Sequence, residues 1–299
     1  MENVIWIGAT LLGAAGLTAR NVAQRGLIAE LGPAGAAYAR FLYGAPFALL
    51  ILPAVCGLAG EAMPRPSLAG AAWLCAGGVA QIAATTMTLA LMTRRSFMTS
   101  IALTKTEPAL ALLFGVAFLG ERLGAQAGFG VLVASLGVTL ASRSPRAAPA
   151  KGLDAFEAPA LGLGAAAGFA FSAVAFRAAI LTFRNASFFV AASAALAFAL
   201  ALQAALIVAL LLATNRPVLY ALAREWRGSL AAGALGAFAS LCWFVAFALQ
   251  AAALVRALGL VETLFARLAS RHMFGETASR AELAGAALIV FGVLILLLA

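Results

Sequence analysis

The chain has 299 residues, of which 64% are hydrophobic and only 10% charged, and its mean hydropathy is +1.03. A soluble domain carries about 25% charged and about 45–50% apolar residues, so this composition leaves too little polar surface to cover a water-soluble body of this size. The net charge of +9 does not point to a nucleic-acid partner, because the basic residues stand singly or in pairs between apolar runs, the arrangement of the positive-inside rule rather than of a basic patch.

A helix needs about 20 apolar residues to cross a bilayer core. Polar punctuation divides this chain into ten such stretches, at 3–24, 34–57, 67–92, 97–119, 123–141, 158–181, 186–213, 228–250, 254–274 and 281–299. A transmembrane barrel would instead alternate over strands of about ten residues, and these runs are too long and too rich in Ala, Leu and Gly. Span 1 follows Met1-Glu2-Asn3 without the basic start of a secretory signal, so it reads as a retained helix. Glu30-Leu31-Gly32-Pro33 separates spans 1 and 2, and Glu61 to Pro66 separates spans 2 and 3. Gly120-Glu121-Arg122 makes a short hairpin turn, and Asn215-Arg216-Pro217 starts another. The stretch from Arg143 to Pro159 is the longest polar one and holds the only aspartate, Asp154. Cys56, Cys75 and Cys242 lie in apolar runs, with neither metal nor disulfide spacing, and read as packed thiols.

The long polar stretch splits the chain into residues 1–142, a linker at 143–157, and residues 158–299, five spans on each side. The halves share a pattern: Glu107 stands 14 residues before Glu121, Glu262 stands 14 before Glu276, and the offset between copies is 155. Near the front, Ala23-Gln24-Arg25 resembles Ala175-Phe176-Arg177 at an offset of 152. With an odd number of spans per copy, the second copy enters the membrane from the opposite side. The expected fold is therefore an all-α integral membrane protein: ten transmembrane helices as two inverted five-helix repeats around a central cavity, with a substrate site near the midplane. Twelve Lys or Arg fall near the odd connections against five near the even ones, which places the odd loops in the cytoplasm and both termini outside.

A charge at the centre of a membrane helix costs about 2.5–3.5 kcal/mol on insertion scales, so the few that occur are the first candidates for function. Lys105 and Glu107 lie near the middle of span 4, Glu262 and Arg267 inside span 9, Arg40 inside span 2 and Arg177 near the end of span 6. Lys105 is one of only two lysines. It sits two residues from Glu107, about 200° around a helix, so the two cannot pair within it. Pro108 should kink span 4 and act as a hinge, freeing carbonyls that need a polar cavity or a neighbouring helix. Gln81, Thr85 and Thr88 share a face of span 3, and Trp243 sits too deep in span 8 for an interfacial residue. Two roles are compatible with each of these residues: bracing between helices, or lining a cavity. Arg40 fits bracing better. The wider polar clusters also hold Thr86 on span 3 and Ser240 on span 8.

No enzyme signature stands out. There is no paired-aspartate motif, no phosphate-binding loop, no periodic arginine helix, and His272 has no cluster beside it for a metal. No cofactor and no metal are expected.

The stretches Thr106-Glu107-Pro108 to Leu119-Gly120-Glu121-Arg122 and Val261-Glu262-Thr263 to Phe274-Gly275-Glu276 resemble the EamA-type members of the drug/metabolite transporter superfamily. The second copy departs by carrying Thr263 where the first has Pro108, which leaves open whether span 9 kinks like span 4. The run Lys105 to Pro108 is similar to the YddG-like amino-acid exporters. The resemblance implies a multi-pass transporter of the bacterial inner membrane, not an enzyme, that exports amino acids from a cavity built by both halves. A zwitterion needs a cation for its carboxylate and an anion for its ammonium. Lys105 is suited to the first role, Glu107 or Glu262 to the second, and Trp243, Phe114 and Met87 to a varied side chain. Two other readings stand: export of organic cations or drugs, and a non-transporting scaffold or lipid-facing enzyme. The partners expected are a small-molecule cargo and lipids, and ten spans are enough for a monomer to enclose a pathway.

Overall fold

The computed structural model describes residues 2–94, 104, 106–141, 154–265 and 280–298. Among them the chain is helical, with no strand. The helices are α1 (Glu2–Ala59), α2 (Leu68–Arg94), α3 (Glu107–Leu119), α4 (Ala125–Ala141), α5 (Asp154–Ile180), α6 (Phe188–Thr214), α7 (Arg216–Arg224), α8 (Trp226–Leu249), α9 (Ala252–Leu258) and α10 (Arg280–Leu297), with a 3-10 turn at Gly259–Val261. Five are long and apolar enough to cross a membrane: Val4–Ala59, Leu68–Leu91, Pro159–Ile180, Phe188–Thr214 and Trp226–Leu249. Glu107–Leu119, Ala125–Leu140 and Leu283–Leu297 are shorter apolar helices.

A straight helix of α1's length would run over 80 Å at about 1.5 Å per residue, far beyond a bilayer core of about 30 Å. The chain breaks it at Gly32, whose φ of 67° and ψ of 173° fall in a region that essentially only glycine occupies. The extended ψ is also what the following Pro33 demands of its predecessor. Across the break, the Gln24 side chain donates to the Ala36 carbonyl at 2.9 Å. In a continuous helix those residues would stand about 18 Å apart along the axis, so the chain folds back and α1 supplies two spans. The sequence puts this break at the same Gly32-Pro33.

Close packing follows the small residues. α1 lies along α8, α2 along α5, and α4 along α10. A Cβ on Gly130 would meet the Gly292 carbonyl at 2.8 Å, and one on Gly137 would meet the Gly285 carbonyl at 2.8 Å and the Ile289 nitrogen at 2.7 Å. One on Gly292 would meet the Ala134 nitrogen at 2.5 Å. These contacts are reciprocal: Gly285, Ile289 and Gly292 are Gly130, Ala134 and Gly137 moved on by 155 residues. The same reciprocity links the other two pairs. Gly16 on α1 approaches Ala239 on α8, and Gly168 on α5 approaches Ala84 on α2. Gly168 is Gly16 moved on by 152, and Ala239 is Ala84 moved on by 155. Contacts that exchange in this way are what a two-fold relation produces.

Both regions flanking the candidate acids are interrupted. α3 begins at Glu107, with Pro108 in its first turn, where a missing N–H costs nothing. Continuing the helix upstream would drive the proline ring against the Thr104 carbonyl, which instead accepts from the Glu107 N–H at 3.4 Å. Pro108 thus stands in the first turn of α3, and whether span 4 bends there, as expected of a hinge, turns on residues 95–103 and 105, outside the described ones. In the second half, α9 ends at Leu258 and the 3-10 turn carries the chain to Glu262, where a helical stretch over 262–265 begins. The Thr263 hydroxyl donates to the Leu260 carbonyl at 2.6 Å. Span 9 therefore tightens into a 3-10 turn without a proline, its backbone staying right-handed helical at Leu258, Gly259 and Glu262, and a threonine hydroxyl serves one of the turn's carbonyls.

Gly292→Ala is expected to destabilise the protein by about 1–3 kcal/mol through overpacking. Gly26→Ala, at an exposed helical site with open space around it, should be neutral or stabilising by up to about 1 kcal/mol. Thermal unfolding of the two variants in detergent tests this.

Candidate functional site

The breaks before Glu107 and Glu262 open onto one cavity of about 80 Å³ in which α1, α2, α3, α5, α8 and α9 meet. Its size admits a few waters. Its lining is unusual for the interior of an apolar bundle: three guanidinium groups, from Arg20, Arg40 and Arg256, and two carboxylates, from Glu107 and Glu262, alongside Asn21, Gln81 and Thr88. Trp243, Phe169, Leu17 and Leu260 supply the apolar wall.

The charges are joined between the two halves of the chain. Glu107 opens α3, where a negative charge suits the positive end of the helix dipole, and its Oε1 faces Arg256 Nε of α9 at 2.9 Å. That contact is an ion pair without the in-line geometry of a hydrogen bond. Glu262 is held from the other side. Its Oε1 accepts from Asn21 Nδ2 at 3.3 Å, and Asn21 Oδ1 accepts from Arg20 Nη2 at 2.6 Å. The Arg256 guanidinium also lies over the Trp243 ring, 4.6 Å from its centroid, and Trp243 stacks on Phe247 at 6.2 Å. Gly259 allows this close fit, because a Cβ there would stand 2.3 Å from the Trp243 ring.

Arg40 differs from the other charges. It is 4% exposed, and its Nε and Nη2 find no hydrogen-bond partner among the described residues. Its guanidinium rests on the Phe41 ring at 4.2 Å. Such a cation–π contact is worth about 0.5–2 kcal/mol, less than the several kcal/mol that desolvating an unpaired ion costs.

Of the residues singled out from the sequence, Arg40, Gln81, Thr88, Glu107, Pro108, Ser240, Trp243 and Glu262 line the cavity. Thr85 is buried but outside the lining, with its hydroxyl donating to the Gln81 carbonyl at 2.8 Å. Lys105 and Arg267 lie outside the described residues. The threonines of α2 bond to carbonyls of their own helix rather than across to another. Gln81 is fixed by Gln203, whose Nε2 donates to its Oε1 at 3.0 Å. Phe114 packs against Phe118 at a tilt and meets Phe171 edge to face, outside the cavity lining, and Met87 packs near Gly164; Phe169 is the phenylalanine in the lining. Arg20 and Arg256, counted from sequence among loop charges, belong to the cavity. For Arg256 a signal was available in the sequence, since it sits within an otherwise apolar run; Arg20 stands beside Asn21, Gln24 and Arg25.

A second charged contact ties the halves at one end. Arg177 of α5 pairs with Glu121 and donates to the carbonyls of Phe247 and Gln250, the latter at 2.7 Å. Gly120 makes this possible. Its φ of 63° ends α3 in the left-handed conformation that favours glycine, and turns Glu121 back over Gly115, where any Cβ would stand 2.7 Å from the carboxylate.

Residues 4–143 match the model of the EamA-like transporter family. Among solved structures, one titled only as the crystal structure of a protein is similar to this chain with a TM-score of 0.73 and 18% identity, over 98% of this chain and 94% of that one. That likeness shows a shared fold across nearly the whole chain. No curated protein matches. Together with the five helices long and apolar enough to cross a membrane, the family match is that of a multi-pass membrane protein.

Gly259→Ala should displace Trp243 and shift the intrinsic tryptophan emission while circular dichroism shows unchanged helix content. In a Trp243→Phe background the same substitution should leave the emission where it was.

Proposed function

We propose that this chain is a ten-span transporter of two inverted five-helix halves that exports amino acids, aromatic ones included, across the bacterial inner membrane by alternating access. The observation that carries the reading is the cavity itself, where cations and anions contributed by both halves meet beside an indole ring. Burying that many charges in a membrane bundle is costly, and a scaffold or lipid-facing enzyme has no use for them. A zwitterion does: its carboxylate meets a guanidinium or the Lys105 ammonium, its ammonium meets a carboxylate, and its side chain lies against Trp243 and Phe169.

The reciprocal helix contacts at offsets of 152 and 155 support the inverted repeat. They also supply a route for alternating access, since the same packing is available in two mirrored arrangements. The ion pair Glu107–Arg256 and the chain Arg20–Asn21–Glu262 each cross between the halves and would exchange partners as the halves rock. The YddG-like resemblance around Lys105 supports amino acids as cargo. Leaving Arg20, Arg177 and Arg256 out of the loop count keeps the excess of basic residues on the odd connections, in favour of termini on the periplasmic side. Export of an organic cation is less well supported, since three guanidiniums outnumber two carboxylates among the described lining residues.

Counterflow of labelled amino acids into liposomes holding the reconstituted protein tests the proposal. Uptake above that of empty liposomes is expected, and Lys105→Ala should lower it at least tenfold. A screen in which organic cations move and amino acids do not would overturn the choice of cargo.

A further inference from the structure

We infer that Arg40 is the residue that holds the cargo's carboxylate, so that the cavity takes carboxylate-bearing solutes, zwitterionic or anionic, and rejects their carboxylate-free amine counterparts; the inference rests on the transport reading above. Each of the other described charges in the cavity has a protein partner. Arg256 faces Glu107, and Arg20 and Glu262 are joined through Asn21. Arg40 is the exception: it is buried, it lines the cavity, and its Nε and Nη2 are unpaired among the described residues.

The chemistry of the group fits the role. A guanidinium presents parallel N–H donors in a planar fork that matches the two oxygens of a carboxylate, and Nε with a terminal nitrogen is such an edge. The fork is oriented before any ligand arrives, because it rests on the Phe41 ring 4.2 Å away. The stems of Arg40 and Arg20 both pass Gly236 of α8, where a Cβ would stand in ordinary contact, 3.5 Å from the Arg40 Cβ and 3.4 Å from the Arg20 Cδ. A third cation, Arg256, borders the same cavity and adds to the positive field that an arriving carboxylate would relieve. With the described carboxylates of the cavity, Glu107 and Glu262, facing other residues, the cargo's carboxylate is the anion that fits Arg40.

Three compounds that differ only in their charged ends provide the test: phenylalanine, 3-phenylpropionate, which lacks the amine, and phenethylamine, which lacks the carboxylate. Each is assayed with the full-length protein in two ways: counterflow in liposomes, and thermal stabilisation of the purified protein in detergent. The inference expects transport and stabilisation with the two carboxylates and neither with phenethylamine. Arg40→Gln should lower both carboxylate signals at least tenfold, and Arg40→Lys should restore part of them. Transport of phenethylamine with no transport of the carboxylates overturns the Arg40 assignment while leaving a transporter. So does wild-type handling of phenylalanine by Arg40→Gln. If nothing moves in liposomes, the transport reading fails, and stabilisation decides Arg40 separately. Carboxylate-specific stabilisation lost in Arg40→Gln and regained in Arg40→Lys supports the assignment. Equal stabilisation by phenethylamine, or none by any compound, overturns it. If Arg40→Gln does not fold, Arg40→Lys carries the comparison: a selectivity for carboxylates identical to wild type in strength and kind overturns the assignment, and a weakened one supports it.

Discussion

The structure depends on one constraint: inside a membrane bundle there is little water to share the cost of a charge or of an unpaired backbone group. Each buried ion must find its counterpart on another helix, and each broken helix must satisfy its own freed carbonyls. The cavity follows from meeting both demands in one place. The chain breaks before Glu107 and before Glu262, and the two carboxylates revealed there are answered by residues from the opposite half, Arg256 for one and Asn21 with Arg20 for the other. Charge compensation thus joins the halves at the centre, while Arg177 and Glu121 join them at one end.

Apolar packing supplies the rest without directional bonds. Lipid tails are as apolar as leucine, so helices associate in a bilayer by close van der Waals fit rather than by escaping water. Glycine and alanine make that fit possible, as where Gly130, Gly137 and Gly292 bring α4 and α10 to backbone contact. Among the described residues, small-residue faces and a few ion pairs hold the helices together, with no covalent link between them.

The two interruptions arise from different residues. In the first half, the proline ring cannot follow the Thr104 carbonyl in a helix, so a helix starts at Glu107. In the second half there is no proline, and the interruption is a 3-10 turn with the Thr263 hydroxyl on the Leu260 carbonyl. The sequence comparison between copies left this point open, because the matching position carries a residue that permits a helix without requiring one. Trp243 occupies the space that a side chain at Gly259, the first residue of the turn, would need.

The sequence by itself determined the membrane class, the division into apolar spans, the break at Gly32-Pro33 and the acids worth watching, because hydropathy, glycine stereochemistry and the cost of a buried charge are local properties. It did not determine which faces look inward. The spans are apolar on all sides, so periodicity gives no amphipathic signal to orient them, and Thr85, Phe114 and Met87 were assigned to a cavity that Arg20, Arg256 and Phe169 line instead. Arg40 is the plainest case. From sequence it is one arginine in an apolar run, with bracing the better-fitting role. Only the tertiary structure decides that no described carboxylate comes near enough to brace against, because pairing between helices is a matter of distances that no single helix encodes.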